Sequence, residues 1–432
     1  MSSIRIVGGK PLDGEVRVSG SKNATLPLLA AALLVDGESY IENVPRIDDI
    51  HVMIRMLDSL GADCEFIDSS TLRIDASNIS SVRAPYDLVR KMRGSFYVAG
   101  ALLARSGEAE VPLPGGCVIG SRPVDFHING FKQLGAVVRE EHGVMYARAD
   151  QLTGAHIIMD SRYCSVGATV NIMLAATLAE GTTIIENASR EPEVVCCEQF
   201  LCDAGARIEG VDTNVLTIHG VDSLHGCRFR SIPDRLEAGT FLMAGAVTGG
   251  DVITTSVQPR HMTTVLDVLW KAGLQVEIGP DWVRVVGDRR PMAFEINTAP
   301  YPGFPTDLQP NATVLAALAV GTSIIEETIF DARFTHVDEL MRMGANIQVK
   351  DSVAIIRGVR KLSGAPVEAT DIRAGSALVL AGLAAQGATE VSAAEFLDRG
   401  YEDVEAKFRN IGGDMTRIAM PEGGSAEYAE TR

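Results

Sequence analysis

The sequence predicts a mixed α/β fold of two similar domains, each made of three copies of a unit of about 70 residues, with helices inside and sheets outside. Two glycine series and one helix type predict it. The first series ends a helix ahead of a strand-like run: Gly61, Gly135, Gly205, Gly273, Gly344 and Gly412, spaced by 74, 70, 68, 71 and 68 residues. The second closes an Ala/Leu-rich run ahead of a β-rich one: Gly37, Gly107, Gly181, Gly249, Gly321 and Gly387, spaced by 70, 74, 68, 72 and 66 residues. Two independent markers that each recur six times are the signature of an internal repeat. Glycine suits the left-handed residue that ends a helix.

Each unit reads as helix, Gly cap, strand, loop, second helix, Gly cap and strand, often with one strand more. The first helices contain Leu28–Leu34, Val98–Leu103, Ile172–Leu178, Phe241–Val247, Val314–Val320 and Ala377–Ala384. They are apolar nearly all round, so they belong in the interior, covered by sheets. In the third unit, Gly181-Thr-Thr-Ile-Ile-Glu leads through Asn187 into a second helix over about 193–204. The N-terminal run Ile4–Ser19 is strand-like and precedes the first unit; a strand there can close onto the last unit and make one domain discontinuous. The break between units three and four falls near residues 225–236. The expected domains are therefore residues 1–21 plus 233–432, with units four to six, and residues 22–232, with units one to three.

Composition narrows the function. The chain has 432 residues, 46% of them hydrophobic and 22% charged, which is ordinary globular usage. A net charge of −17 argues against a general nucleic-acid or anionic-membrane surface. An anionic substrate would need the few cations gathered locally. Seven cysteines, an odd number without a C-x-x-C pair, suggest reduced thiols in a cytoplasmic protein. Cys196, Cys197 and Cys202 lack histidine partners for a metal cluster, and no dinucleotide fingerprint is present, so no metal and no cofactor is expected. Residues 24–35 are apolar like a signal-peptide core. They follow a Gly-rich, mixed-charge stretch and are too short to span a bilayer, so a buried helix is expected there.

Charged residues recur at two places in the units. Ahead of each buried helix stand Lys22-Asn23, Arg93, Arg162 with Ser165, Asp234-Arg235, Asp307, and Asp371 with Arg373. After the following strand come Arg46 with Asp48-Asp49, then Cys117 with Arg122, then Arg190, Arg260, Arg333, and Asp398-Arg399. Any one such charge is by default a solvated loop residue; recurrence in equivalent places argues for more. Helix N-termini add free N–H groups and positive dipole ends. Parallel helices would bring these ends to one face, and two such faces opposite each other would make an electropositive cleft. The most informative stretch is Pro112-Leu-Pro-Gly-Gly-Cys-Val-Ile-Gly-Ser-Arg-Pro-Val-Asp-Phe126. Its prolines and glycines suit neither a helix nor a strand interior. A thiol on such a loop beside a guanidinium can be held as thiolate or used as a proton donor near an anion.

These residues carry a specific resemblance over essentially the whole chain. Gly20-Ser-Lys-Asn-Ala24, Met92-Arg-Gly-Ser95, the loop Leu113–Asp125, Ser165-Val-Gly-Ala-Thr169, Glu191-Pro-Glu193, Pro233-Asp-Arg-Leu-Glu237, Phe304-Pro-Thr-Asp307, Arg333-Phe334, Asp371-Ile-Arg-Ala374 and Asp398-Arg-Gly-Tyr401 resemble the UDP-N-acetylglucosamine enolpyruvyl transferases. The sister family acting on shikimate phosphate lacks the cysteine loop. The resemblance implies an inside-out α/β barrel of two domains that close over substrate. It implies UDP-N-acetylglucosamine and phosphoenolpyruvate (PEP) as substrates in peptidoglycan synthesis, with no nucleic-acid or membrane partner. Lys22, Arg122 and Arg399 would clamp the PEP phosphate and carboxylate, helped by Arg93 and Arg373. Cys117 would protonate PEP C3 or assist product release and could add covalently to PEP, and Asp307 would take the proton of the attacking hydroxyl. Asn23 would hold the sugar. The uridine would rest on Arg122, Pro123, Val124, Asp125, Phe126, Ser165, Val166 and Ile329, with Arg162 and Arg333 adding charge. The Cys117 loop would serve as a lid.

The chain departs from the family pattern at Ser161-Arg-Tyr-Cys164 and at Cys196-Cys197. These departures leave open an enolpyruvyl transferase with another acceptor, in a nucleotide-antibiotic pathway or on shikimate 3-phosphate. A non-catalytic UDP-sugar-binding paralogue is a third reading, and the joint presence of Cys117, Lys22, Asp307 and the arginines weighs against it. The oligomeric state is open between a monomer and a weak homo-oligomer. Fosfomycin alkylates this thiol in the family, so it should inactivate the protein and leave Cys117→Asp untouched. A fully sensitive Cys117→Asp variant in a timed inactivation assay would show that another residue is the nucleophile.

Overall fold

In the computed structural model, which describes residues 2–114, 124–160 and 164–419, eight of the twelve glycines close helices, whereas Gly37, Gly181, Gly321 and Gly387 lie beyond the helix ends Ala32, Thr177, Leu318 and Ala384, in the turns that lead into the next strands. All twelve members of the two glycine series have positive φ, between 71° and 125°. That is the conformation in which a Cβ is disfavoured, so the spacing seen in the sequence is the spacing of left-handed turns. The apolar runs are the helices Lys22–Ala32, Val98–Ser106, Val166–Thr177, Arg235–Thr248, Gln309–Leu318 and Ile372–Ala384. Within Lys22–Ala32 only Asn23 escapes full burial. Most of these helices begin earlier than the apolar runs suggested. Lys22, Arg235 and Arg373 therefore lie in first turns and not in the preceding loops. Polar N-caps are the reason: Ser21 accepts from Ala24 N, and Asp371 accepts from Arg373 N and Ala374 N.

Among the described residues there are six sheets with a shared pattern. In five, the strand after the helix-closing glycine has a parallel neighbour on one side and an antiparallel one on the other. Glu38–Glu42 lies between Arg228–Arg230 and Leu72–Asp75, and Thr182–Glu186 between His156–Ile158 and Val215–His219. Asp251–Thr255 lies between Asp13–Arg17 and Trp282–Val286, and Thr322–Glu326 between Glu295–Asn297 and Val353–Arg357. Ala388–Ser392 lies between Pro366–Glu368 and Ser2–Val7. In the sixth sheet Glu108–Pro112 pairs antiparallel with Val144–Arg148, and its parallel neighbour is reduced to one bridge, Arg83 to Glu110. The N-terminal strand Ser2–Val7 also pairs with Asp414–Ala419, with Ile4 opposite Val391 on one side and Arg417 on the other.

The chain forms two compact units. One comprises Met1–Val18, Leu236–Thr298 and Phe304–Arg432; the other comprises Ser19–Arg235 and Ala299–Gly303. Each has its own apolar core. In the second unit the helices Val98–Ser106 and Val166–Thr177 meet closely at Gly100, where a Cβ would fall 2.2 Å from the Asn171 carbonyl oxygen. Only glycine allows that approach.

Each unit also buries one histidine. His127 is 6% exposed and His336 only 1%. Burial pushes both pKa values down from the ordinary 6.5 to about 3, so both rings are neutral at physiological pH. The unfolded chain takes up a proton on each near pH 6.5 while the folded chain does not. Stability is thus present above pH 6.5 and is lost as pH falls toward 3, by up to about 1.4 kcal/mol per pH unit for each ring. In urea unfolding, the wild type should lose about 2 kcal/mol more than His336→Asn between pH 7 and pH 5. Parallel pH profiles for the two proteins would contradict the buried, neutral assignment.

Candidate active site

In the discontinuous unit, charge gathers where three chain segments meet. Asp307 lies in the 3-10 turn Thr306–Leu308 that leads into Gln309–Leu318. Its Oδ1 accepts from Arg333 at 2.9 Å and its Oδ2 from Arg373 at 2.8 Å. Both arginines are buried, while the Asp307 side chain is 26% exposed. A guanidinium in such a place needs an ionised partner, because desolvating it alone would cost several kcal/mol. The carboxylate has about four lone-pair sites, so two arginine bonds leave it able to accept further donors, such as a hydroxyl. Arg373 is aimed by the first turn of its helix, where Asp371 Oδ1 accepts from the Arg373 N–H at 2.8 Å. Arg333 lies 5.5 Å from the Phe330 ring.

Glu327, which no motif or spacing singles out, fixes this arrangement. Its Oε1 accepts from Thr298 Oγ1 at 2.9 Å, Ile329 N at 2.9 Å and Phe330 N at 3.1 Å. Its Oε2 accepts from Thr306 Oγ1 at 2.9 Å. One buried carboxylate thus ties the turn of Asp307 to the segment of Ile329 and Phe330. Arg399 stands half-buried at the end of the short helix Glu395–Asp398, whose Asp398 pairs with Arg417 at 2.6 Å.

In the other unit, Lys22 is the first residue of its helix. Its Nζ donates to Asp49 at 3.2 Å with both side chains nearly inaccessible, and its backbone N–H donates to Asp234 at 3.3 Å. Asp49 opens the helix Asp48–Leu60, where a carboxylate also meets the positive helix end. Asn23 follows, half-buried, and Arg93 opens the turn Arg93–Tyr97. Val124 precedes the helix Asp125–Gln133, which begins with Asp125 and Phe126. Ser165 caps the helix that Val166 begins, accepting from Ala168 N at 3.3 Å. Arg235 is paired with Glu191 at 2.6 Å and Glu193 at 3.0 Å. Glu191 also accepts from Tyr301 N at 3.0 Å. Cys117, Arg122, Pro123 and Arg162 lie outside the described residues.

The structure therefore brings together Asp307, Arg333 and Arg373 directly, and Ile329 through Glu327. It adds Asp49 as the partner of Lys22. The second charged position is not uniform. Arg46 bonds the carbonyls of Asp68 and Ser69 and stacks on Phe66, Arg190 bonds the carbonyl of Asp212, and Arg260 bonds Gln258. These three brace their own surroundings. Burial raises the thiol of Cys196 to about 12 and that of Cys197 well above the usual range, so both are inert as nucleophiles. Among the described residues no group of three His, Cys, Asp or Glu could hold a metal, and no helix is long and apolar enough to cross a membrane.

Comparison with known proteins agrees over nearly the full length. The family described as EPSP synthase (3-phosphoshikimate 1-carboxyvinyltransferase) matches residues 6–408. UDP-N-acetylglucosamine 1-carboxyvinyltransferase of Shewanella woodyi is 48% identical over 97% of this chain and 100% of its own. The protein of the same name from Tolumonas auensis is 49% identical over 97% and 99%. Among solved structures, the enolpyruvyl transferase NikO from Streptomyces tendae superposes with a TM-score of 0.89 at 28% identity, covering 97% of this chain and 99% of that one. EPSP synthase from Acinetobacter baumannii shares the fold, with a TM-score of 0.74 at 18% identity over 97% and 100%. Matches of this length and identity place the chain in the family of UDP-N-acetylglucosamine 1-carboxyvinyltransferases, within the enolpyruvyl transferases.

Proposed function

We propose that the protein transfers the enolpyruvyl group of PEP to the 3-hydroxyl of UDP-N-acetylglucosamine with release of phosphate, the first committed step of peptidoglycan synthesis, in the cytoplasm. The observation that supports it most is the Asp307 carboxylate held between Arg333 and Arg373 at a helix start, in a chain 48–49% identical to enzymes named for this reaction. The finer architecture that goes with this reading is an inside-out α/β barrel in each unit, built from three repeats.

In this reading the hydroxyl oxygen bonds to C2 of PEP as its proton passes to Asp307, and C3 takes a proton from Cys117. The tetrahedral intermediate then loses a proton from C3, and the bond from C2 to the phosphate oxygen breaks. Phosphate leaves and the vinyl ether remains. Lys22, Arg122 and Arg399 hold the PEP anions, with Arg93 and Arg373 beside them. Guanidinium forks suit both carboxylate and phosphate. Asn23 holds the sugar. Val124, Asp125, Phe126, Ser165, Val166 and Ile329 form the nucleotide wall with Arg122, Pro123 and Arg162. Bonds to Arg333 and Arg373 keep Asp307 oriented, so it meets the hydroxyl without reorganising.

Phosphate release from PEP tests the reading. Turnover is expected with UDP-N-acetylglucosamine and absent with UMP or shikimate 3-phosphate. Turnover only with another acceptor would keep the PEP chemistry and overturn the substrate assignment.

A further inference from the structure

Four buried side chains join the central helices of the discontinuous unit to the segment that carries Arg399. Thr240 lies on Arg235–Thr248, Asn311 on Gln309–Leu318 and Ser376 on Ile372–Ala384. Tyr401 follows the short helix Glu395–Asp398. All four are buried, Tyr401 to within 3% of full enclosure. Thr240 Oγ1 donates its proton to the Leu236 carbonyl at 2.9 Å. It therefore accepts from Asn311 Nδ2 at 3.1 Å and from the Tyr401 hydroxyl at 3.0 Å. Ser376 Oγ lies 3.1 Å from its acceptor Asn311 Oδ1 and 2.9 Å from the Arg373 carbonyl. The chain thus runs from Tyr401 through Thr240 and Asn311 to Ser376, one turn after Arg373. A buried polar network of this kind rigidifies what it joins.

The same segment is gripped in two other places. Asp398, just before Arg399, takes two bonds from the Arg417 guanidinium, at 2.8 and 2.6 Å. Gly400, just after it, packs on Ile372, the residue before Arg373. A Cβ on Gly400 would lie 2.9 Å from Ile372 Cγ2. Gly400 N and Tyr401 N both donate to the Leu397 carbonyl at 2.9 Å. Arg399 is thus held through its chain neighbours on both sides. Of the three grips, the Tyr401 hydroxyl is the one that reaches the helix of Asn311, into which the Asp307 turn leads.

We propose that Tyr401 is a positioning residue for the transfer: its hydroxyl, donating to Thr240, sets Arg399 in register with Asp307 and Arg373. This rests on the reading above, in which Arg399 holds a PEP anion and Asp307 takes the hydroxyl proton. A guanidinium fork meets a carboxylate or phosphate at two points, so a small shift of its backbone weakens both bonds together. Misplacement by about 1 Å can cost on the order of 10²-fold in rate.

Tyr401→Phe removes the hydroxyl and keeps the ring. In the phosphate-release assay on the full chain, kcat/KM for PEP should fall about tenfold. Binding of UDP-N-acetylglucosamine, read by titration calorimetry, should stay within about twofold of wild type. Thr240→Val, which removes the acceptor and keeps the shape, should show the same split between the two substrates. In an Arg399→Lys background the flexible point charge no longer depends on where a fork is placed, so Tyr401→Phe should cost less than about twofold there. A lowered melting temperature in Tyr401→Phe with kcat/KM unchanged would reduce Tyr401 to structural support. A full tenfold loss in the Arg399→Lys background would show that Tyr401 does not act through Arg399. Either result overturns the inference alone. A wild type that released no phosphate from PEP with UDP-N-acetylglucosamine would overturn the transfer reading and this inference together.

Discussion

The pairing of charge at the start of apolar helices is the constraint on which the proposed anion-binding site depends. The helices that begin with Lys22, Arg235 and Ile372 are otherwise hydrophobic and enclosed. A cation there stays charged only if a carboxylate meets it, and the structure supplies one each time: Asp49 for Lys22, Glu191 and Glu193 for Arg235, Asp307 for Arg333 and Arg373. Such pairs do little for net stability, because desolvation offsets much of the attraction. They fix geometry, and removing one partner leaves a largely buried charge without its counter-charge.

That constraint explains how a protein of net charge −17 can serve anionic substrates. Exposed charges on the sheets and loops are screened by solvent, whereas Lys22, Arg333 and Arg373 sit in buried positions where their fields are least screened. Asp307 illustrates the balance. Two guanidiniums keep it oriented, Glu327 holds the turn that carries it, and its partial exposure leaves it reachable.

Much of the fold was legible because its punctuation is stereochemical. A left-handed turn favours glycine, whether it closes a helix or leads into a strand, so Gly37 through Gly412 could be read as a period without knowing what lay between them. Helix starts were less legible. The apolar stretch begins at Ala24 in the first helix, but the Ser21 cap sets the true start and draws Lys22 into the first turn. Pairings across the chain were not legible at all. Lys22 with Asp49, Glu327 with Thr298 and Thr306, and Tyr401 with Thr240 are set by the fold and leave no local pattern. Conversely, Arg46 and Arg190 looked like members of a functional series, yet each bonds nearby carbonyls, as most loop arginines do.

The central claim is that Asp307, oriented by Arg333 and Arg373, is the base of the transfer. Its most direct test is the single-turnover rate of phosphate release by Asp307→Asn, which keeps the shape and removes the basic charge. The account predicts a rate about 10²- to 10⁴-fold below wild type, the usual worth of a general base. A rate near that of wild type would contradict it.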